Sequence, residues 1–314
     1  MRTNQLHGNL MLLLTAFIWG FGFVAQKLST IYVGPLTFMA VRSFIAAAAL
    51  FLCAILFRSY QSLRHPIESR PLFSAFSQWK PLLLGSIFCG AMLCCGNVLQ
   101  QAGIAYTTAG KTGFISVLYI VIVPMLGILF KKKVNGFVWI AVIVAAIGVY
   151  LLCMNEKLTI GRGDILILIS AAAFSFDILL IDYFAPRVDG LWLSCLQFIV
   201  VGIICMPLAV IYENPTFASI YACLLPILYV AVFCSAIAYT LEIFAQRSIG
   251  PAIASLLLSL EAVFAALAGW LILDEIMSPR ELAGSGLMII AIFLSQLPEL
   301  RQKRRIENKK ELLR

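Results

Sequence analysis

The sequence predicts an all-α membrane protein with ten transmembrane helices, arranged as two inverted repeats of five helices each. Of the 314 residues, 62% are hydrophobic and only 12% are charged, and the mean hydropathy is +0.98. A soluble domain usually has about a quarter of its residues charged. Apolar stretches of about twenty residues, the length that crosses a bilayer as a helix, follow one another along the chain. Basic residues concentrate in alternate connections between these stretches.

The predicted spans are joined by short connections, with one exception. The exception is the segment 58–80, which carries Arg58, Arg64, Arg70 and Lys80 and is expected to lie in the cytoplasm. The predicted spans are 9–29, 35–57, 81–103, 107–130, 135–153, 164–184, 190–212, 222–246, 252–273 and 280–297.

The distribution of lysine and arginine orients these spans. If the N-terminus is inside, the cytoplasmic connections hold Lys131–Lys133, Arg187 and Arg247, and the basic tail Arg301–Arg314 is also inside. Because basic connections stay on the cytoplasmic side, the sequence predicts a multi-pass protein of the inner membrane with both termini in the cytoplasm. An odd number of spans would place one of these basic clusters outside.

Internal similarities divide the chain into two halves. The segment 105–118 aligns without gaps on 245–258, and Gly8–Leu10 resembles Gly163–Ile165 at the starts of spans one and six. Each half contains an odd number of spans, so the second half enters the membrane in the opposite orientation. Inverted repeats that enclose a site near the midplane are typical of secondary carriers.

The charges at the ends of spans four and nine agree with this inversion. Span four ends in Lys131–Lys133, whereas span nine ends in Asp274–Glu275. The predicted domains are a first repeat over 9–153, a second repeat over 163–297 and a basic cytoplasmic tail over 298–314.

Several polar side chains lie inside predicted spans, where lipid does not tolerate them. Helical spacing places them in stripes, which must face protein or water. The stripes are Asn97, Gln100 and Gln101; Ser170, Phe174 and Asp177; and Ser235, Tyr239, Glu242 and Gln246. We therefore predict a central cavity among spans three, four, six, eight and nine. The predicted substrate-binding residues are Asn97, Gln100, Lys111, Tyr119, Asp177, Tyr239, Glu242 and Glu261, and Arg42 and Pro124 have predicted gating or structural roles.

The predicted depth of the charges suggests a role for each. Arg42 and Lys111 fall in the outer half of the membrane, and the acidic residues fall nearer its middle or inner end. Lys111 and the amides of span three are expected to bind an anionic or carboxylate group of the substrate. Glu261 is expected to pair with a cationic group or to structure the site. Pro124 is expected to bend span four.

Other interpretations of the same residues remain open. Arg42 and Lys111 could extend to the outer interface, and Glu242 could reach the inner one. Tyr119 and Tyr239 could be packing residues or members of an interfacial aromatic belt.

Other classes of protein fit the sequence less well. The net charge of +8 comes from residues in connections and at the C-terminus, so nucleic acid is not an expected partner. No nucleophile–base pair, phosphate-binding loop or metal-ligand spacing is present in the sequence, so neither an enzyme nor a bound cofactor or metal is expected. The nine cysteines fall within apolar stretches, as small packing residues do.

Six segments, in order, resemble one transporter family. They are WGFGFVAQK (19–27), GPLTFMAVR (34–42), QQAGIAYTTAGKTGF (100–114), LYIVIVPMLG (118–127), AYTLEIFAQR (238–247) and LEAVFAALAGWLILDE (260–275). Together they resemble an EamA-type member of the drug/metabolite transporter superfamily over about residues 9–297. The resemblance implies ten helices, duplicated EamA domains and movement of metabolites such as amino acids, often outward. Two positions depart from the family pattern: Ala262 stands where many relatives have proline, and Glu242 stands where relatives often have glutamine. An acid at position 242 could titrate or bind a cation.

The sequence therefore predicts a secondary transporter that moves a small metabolite, an amino acid or related organic solute, across the inner membrane by alternating access, in the export direction. Two alternatives stay open: a sensor or scaffold subunit that transports nothing, and a passive channel. The expected partners are a small-molecule substrate and the lipid bilayer. Proton coupling remains open, as does a homodimer formed through the small-residue face at Gly284 and Gly286.

Overall fold

A computed structural model describes residues 2–64, 79–129, 136–153, 161–274, 278–280, 282–284, 286–291 and 293–294. Within these ranges the regular secondary structure is entirely helical. The helices are α1 (Arg2–Ser29), α2 (Pro35–Arg64), α3 (Trp79–Ile104), α4 (Ala109–Ser116), α5 (Tyr119–Leu129), α6 (Gly136–Cys153), α7 (Arg162–Phe184), α8 (Gly190–Tyr212), α9 (Phe217–Ala222), α10 (Leu224–Tyr229), α11 (Tyr239–Gln246), α12 (Pro251–Leu258) and α13 (Glu261–Leu273), with a π-helix over Val230–Ala238.

Eight helical stretches in the described ranges are long and apolar enough to cross a membrane. They are Gln5–Ser29, Pro35–Leu56, Trp79–Ile104, Ala109–Leu129, Arg162–Phe184, Gly190–Tyr212, Leu224–Ala245 and Pro251–Leu273. These stretches coincide with predicted spans one to four and six to nine, so the chain is a multi-pass membrane protein. The shorter apolar helices Gly136–Gly148 and Leu282–Ala291 fall where spans five and ten were predicted.

Four features that the sequence singled out lie outside the described residues. They are most of the connection 58–80, the cluster Lys131–Lys133, Glu275 and the tail 298–314.

Spans four and nine are each built from two helices. α4 ends at Ser116 and α5 begins at Tyr119, while α12 ends at Leu258 and α13 begins at Glu261. At both breaks a backbone N–H bonds the carbonyl three residues earlier, which tightens the turn. Tyr119 and Glu261 therefore open a new helix within the span. Pro124 lies inside α5, so the break in span four precedes the residue that was expected to bend it.

Span eight contains a feature that helical spacing does not predict. Its middle section, Val230–Ala238, is a π-helix, and α11 continues the span from Tyr239. The indole N–H of Trp19 donates to the carbonyl of Cys234 at 3.0 Å, and the Thr15 hydroxyl donates to the carbonyl of Ala238 at 3.1 Å. Side chains of α1 therefore bond backbone carbonyls at the wide turns of the π-helix, which are often found at functional sites.

Glycines allow the helices to approach closely at several crossings. A Cβ atom built on Gly20 of α1 would lie 2.4 Å from the Cβ of Phe264 and 2.8 Å from the carbonyl oxygen of Glu261 in α13. These are atoms next to or within the backbone, so they cannot move without shifting α13. Gly103 and Gly163 make a similar close contact between α3 and α7. Helices in a membrane lack a hydrophobic driving force for association, and small residues at their crossings let the backbones approach closely enough to pack.

We expect Gly20→Ala to destabilise the protein by about 1–3 kcal/mol, the usual cost of overpacking a filled contact. The matched control is Gly136→Ala at the start of α6, because nothing lies within 4 Å of a Cβ at that position. The midpoint of thermal unfolding in detergent should fall for the first variant and stay near the wild-type value for the second. An equal midpoint for both variants would contradict the close packing of α1 against α13.

Candidate functional site

A cavity lies among the helices of spans one to four, six, eight and nine. The space free of protein atoms measures about 520 Å³, including the part that opens to solvent. Its lining combines basic, acidic, amide and aromatic side chains. The lining residues are Trp19, Phe23, Gln26, Arg42, Asn97, Gln100, Tyr119, Phe174, Asp177, Ile178, Cys234, Tyr239, Glu242 and Glu261.

Most of the residues singled out from the sequence meet in this cavity. Seven of the eight predicted binding residues line it: Asn97, Gln100, Tyr119, Asp177, Tyr239, Glu242 and Glu261. Arg42, predicted to have a gating or structural role, lines it as well. Lys111 and Pro124 are not among the lining residues. The role of each lining residue in binding a substrate stays a prediction.

The basic part of the cavity is organised around Arg42. Arg42 is 2% exposed, and its Nη2 donates to Oδ1 of Asn97 at 2.5 Å. The Asn97 amide in turn donates to the Tyr239 hydroxyl at 3.3 Å and to the Leu93 carbonyl at 2.9 Å. The Nε of Arg42 has no hydrogen-bond partner among the described residues. Arg42 is therefore a buried cation that lines the cavity and retains a donor.

Aromatic rings surround this basic cluster. The Trp19 and Tyr239 ring centroids are 4.6 Å apart, and Phe198 packs edge-on against Tyr239 at 5.5 Å. The π-helix supports this arrangement, because its Cys234 carbonyl accepts the Trp19 indole hydrogen bond. The rings supply an apolar wall beside a charged group, which is the usual composition of a small-molecule pocket.

Glu261 and Tyr119 face each other from the two broken spans. The Tyr119 hydroxyl donates to Oε1 of Glu261 at 3.0 Å, and both side chains are buried. One turn earlier, the Gln100 amide donates to the Ser116 hydroxyl at 2.9 Å, next to the break in span four. The helix breaks thus bring a carboxylate and its hydroxyl donor into the cavity, where a charged group of a ligand could reach them.

Asp177 of α7 and Glu242 of α11 form the second acidic part of the cavity. Glu242 interacts electrostatically with both Asp177 and Glu261. Its Oε1 accepts a hydrogen bond from the Gln246 amide at 2.9 Å. In contrast, Oδ1 of Asp177 and Oε2 of Glu242 have no partner among the described residues.

The Lys111 side chain has a different environment from the predicted one. Its Nζ forms an ion pair with Oδ2 of Asp164 at 2.7 Å, which joins the start of α4 to the start of α7. Asp164 also accepts the backbone N–H of Gly161 and so caps α7. The Lys111 side chain is 34% exposed. Gln101 also turns away from the cavity and donates to the Gln26 carbonyl and the Ser29 hydroxyl at the end of α1.

We expect Lys111→Met to change stability by only about 0–1 kcal/mol, as is usual for an ion pair that water reaches. The same replacement in an Asp164→Asn background should have no further effect, because the partner charge is already absent. Thermal unfolding of the two single variants and the double variant measures this coupling. If Lys111→Met instead abolished stabilisation by a ligand of the cavity, this result would support the predicted direct role of Lys111 in substrate binding.

Six lining residues were not among the predicted binding residues. They are Trp19, Phe23, Gln26, Phe174, Ile178 and Cys234. A signal existed for three of them, since Trp19, Phe23 and Gln26 lie at i, i+4 and i+7 and share one face of α1. Phe174 belongs to the Asp177 stripe. Ile178 and Cys234 are apolar residues in apolar helices, and their spacing gives no indication of a cavity.

Comparison with known proteins agrees with this architecture. Over 94% of this chain and 87% of the relative, the sequence is 29% identical to an uncharacterised transporter of Archaeoglobus fulgidus. It is 24% identical to a chloroplastic WAT1-related protein of Arabidopsis thaliana, over 90% of this chain and 68% of the relative. It is 21% identical to the uncharacterised transporter YoaV of Bacillus subtilis, over 91% and 95% respectively.

A solved crystal structure has the same fold. It superposes with a TM-score of 0.72 and covers 94% of this chain and 98% of its own, at 16% sequence identity. The model of the EamA-like transporter family matches the chain twice, over residues 6–154 and 161–297. These two matches cover most of the sequence and confirm the resemblance found in its motifs. The chain therefore belongs to the EamA-like transporter family.

Proposed function

We propose that this protein is a secondary transporter that moves a small organic solute by alternating access, with the cavity as its substrate site. The observation that carries the proposal is the cavity that Arg42, Glu261 and the aromatic residues Trp19 and Tyr239 line together. A buried charge in a membrane protein is costly and usually marks a functional pathway. The family relationship supports transport of a solute but leaves its identity open.

The proposed architecture has ten spans, with inverted repeats over 9–153 and 163–297 and both termini in the cytoplasm of a cell with an inner membrane. Two contacts within the cavity join the proposed halves. Asn97 contacts Tyr239, and Tyr119 contacts Glu261.

A second pair of contacts supports the inversion. Lys27, at the end of α1, donates to the carbonyls of Ile104 and Thr107 at the end of α3. Arg247, just after α11, donates to the carbonyls of Ala185 and Val188 after α7. In each half a basic side chain thus bonds the free carbonyls at the end of a neighbouring helix. The predicted topology puts the two contacts on opposite sides of the membrane.

The charges of the cavity suit an amino acid or a related zwitterion. Arg42 can donate a hydrogen bond from its free Nε to a carboxylate, and the Glu261 carboxylate can accept one from an ammonium group. The roles first assigned to Lys111 thus pass to Arg42, because Lys111 is engaged by Asp164. Trp19 and Tyr239 would cover an apolar side chain of the solute. We propose export as the direction of transport.

Alternating access requires contacts that break on one side of the membrane. Two contacts join the proposed halves on the predicted outer side. One is the Lys111–Asp164 ion pair. The other is the Glu213 carboxylate, which accepts the backbone N–H groups of Leu36 and Thr37 at 2.8 Å and so caps α2. We propose that these contacts close the outer side and break when it opens.

Reconstituted vesicles test the proposal. The purified protein is first screened for thermal stabilisation against a panel of amino acids and related solutes, because a ligand of the folded state raises its stability by mass action. Flux of each stabilising solute into loaded vesicles is then measured. We expect the flux to saturate as the solute concentration rises and to exceed the flux into vesicles that contain no protein. Flux that rises linearly without saturation would indicate a channel, and stabilisation without flux would indicate a sensor.

A further inference from the structure

The cavity holds more negative than positive side chains. Its described lining contains one basic residue, Arg42, and three acidic residues, Asp177, Glu242 and Glu261. In the described part of the chain, Arg42 bonds Asn97 and forms no ion pair with any of the three carboxylates. Glu261 has the Tyr119 hydroxyl as a donor. Asp177 and Glu242 are therefore the two carboxylates of the described lining that lack a compensating positive charge.

Among the described residues, three oxygen atoms in or next to this acidic end have no donor. Oδ1 of Asp177, Oε2 of Glu242 and Oε1 of Gln246 are buried without a hydrogen-bond partner in the described ranges. These side chains are only 2%, 1% and 2% exposed, respectively. The Gln246 amide donates to Glu242, so its free oxygen lies beside the carboxylate. The amide oxygen is a second, independent acceptor that is satisfied only by a donor or a cation.

The cost of leaving these groups unpartnered is large. An isolated carboxylate transferred from water into a low-dielectric interior loses far more solvation energy than a protein structure can spare. In the described ranges, the titratable groups that interact electrostatically with these carboxylates include Cys89 of α3, Tyr119 of α5, Tyr239 of α11 and Glu261 of α13. None of these four is a cation, so a cation from solution can supply the missing charge.

We propose that Asp177, Glu242 and Gln246 form a binding site for a small monovalent cation, a proton or a sodium ion, that is separate from the contacts made to the organic solute. Carboxylate and amide oxygens are the hard ligands that such a cation takes. This inference rests on the proposed transport function, because an exchangeable cation in the same cavity would couple solute movement to a cation gradient. Glu261 remains assigned to the solute, since Tyr119 already engages it.

Thermal unfolding of the purified full-length protein tests the site without requiring transport. The midpoint is measured as sodium chloride replaces choline chloride at constant ionic strength, and separately as the pH falls from 8 to 5 in sodium-free buffer. We expect either sodium or acid to raise the wild-type midpoint by several degrees, because a cation that binds the folded state stabilises it. A response to sodium identifies a sodium site, and a response to acid alone identifies a proton site.

The variants Glu242→Gln and Asp177→Asn should each lose this response and should unfold at or above the cation-free wild-type midpoint. The control is Asp189→Asn, which removes an exposed carboxylate at the N-cap of α8 that is not among the residues lining the cavity. The control should respond to the cation as the wild type does. The proposal is overturned if neither sodium nor acid stabilises the wild type, or if either cavity variant keeps the full response.

The same measurements separate this inference from the proposed function. Saturable solute flux in a protein that shows no cation response would contradict the proposed cation site and support the proposed transport function. A cation response that depends on Asp177 and Glu242, in a protein that transports no solute, would contradict the proposed transport function and support the cation site.

Discussion

Glu261→Gln is expected to reduce solute flux in reconstituted vesicles by about tenfold or more while the protein stays folded and inserted. The glutamine side chain has nearly the same shape and can still accept the Tyr119 hydroxyl hydrogen bond, which measures 3.0 Å in the wild type. What it loses is the negative charge that would bind a cationic group of the solute. A hydrogen bond to a charged group contributes about 1.5–3 kcal/mol, which corresponds to about a ten- to hundredfold change in binding.

Two further variants make this result specific. Tyr119→Phe removes the hydroxyl but leaves the Glu261 charge, so it should reduce flux less than Glu261→Gln does. Asp189→Asn removes a carboxylate outside the cavity and should transport as the wild type does. Undiminished flux in Glu261→Gln, at equal protein content in the vesicles, would exclude Glu261 from the transport pathway.

Arg42→Met is expected to abolish thermal stabilisation by solutes that carry a carboxylate. The Arg42 guanidinium is the basic group that lines the described part of the cavity, and its free Nε is available to an anion. The methionine has a similar length but neither the charge nor the donors. Arg42→Lys keeps the charge but lacks the planar fork that matches a carboxylate, so it should retain weaker stabilisation.

The effect of this substitution on the stability of the ligand-free protein must be separated from its effect on ligand binding. Arg42→Met leaves Oδ1 of Asn97 without its donor, which is expected to cost about 1–3 kcal/mol. The comparison therefore uses the shift that a ligand produces in each variant and not the absolute midpoint. Arg187→Gln, at an exposed arginine between α7 and α8, is the control and should show the wild-type shift. An undiminished shift for a carboxylate ligand in Arg42→Met would exclude Arg42 from the substrate site.

Long, local patterns in the sequence were sufficient to find the membrane helices. Hydropathy summed over about twenty residues depends only on the residues of that stretch, and eight predicted spans coincide with membrane-length helices. The same logic identified most of the cavity, because Asp177, Glu242 and Glu261 are too costly to expose to lipid and must turn inward. The family motifs were also local, and the match to the EamA-like family confirmed them.

The interruptions of the helices could not be predicted from these local sequence patterns. The predicted stripe in span eight assumed a constant 3.6-residue period, whereas residues 230–238 form a π-helix. The break in span four was not predicted; it lies at the start of α5, before Pro124, the residue that was expected to bend this span. Contacts from neighbouring helices stabilise such interruptions. Trp19 and Thr15 of α1 make contacts of this kind with the π-helix. The residues of the interrupted segment are therefore not sufficient to predict the interruption.

The sequence by itself determined which side chains must be shielded from lipid, and only the tertiary structure decided which partner each one has. Arg42 and Lys111 had the same predicted alternatives, yet Arg42 bonds Asn97, 55 residues away, inside the cavity. Lys111 pairs with Asp164, 53 residues away and outside the cavity lining. The physical reason is that the cost of burying a charge depends on the residue and is written in the sequence, whereas the compensating contact comes from another helix and exists only after the helices have packed.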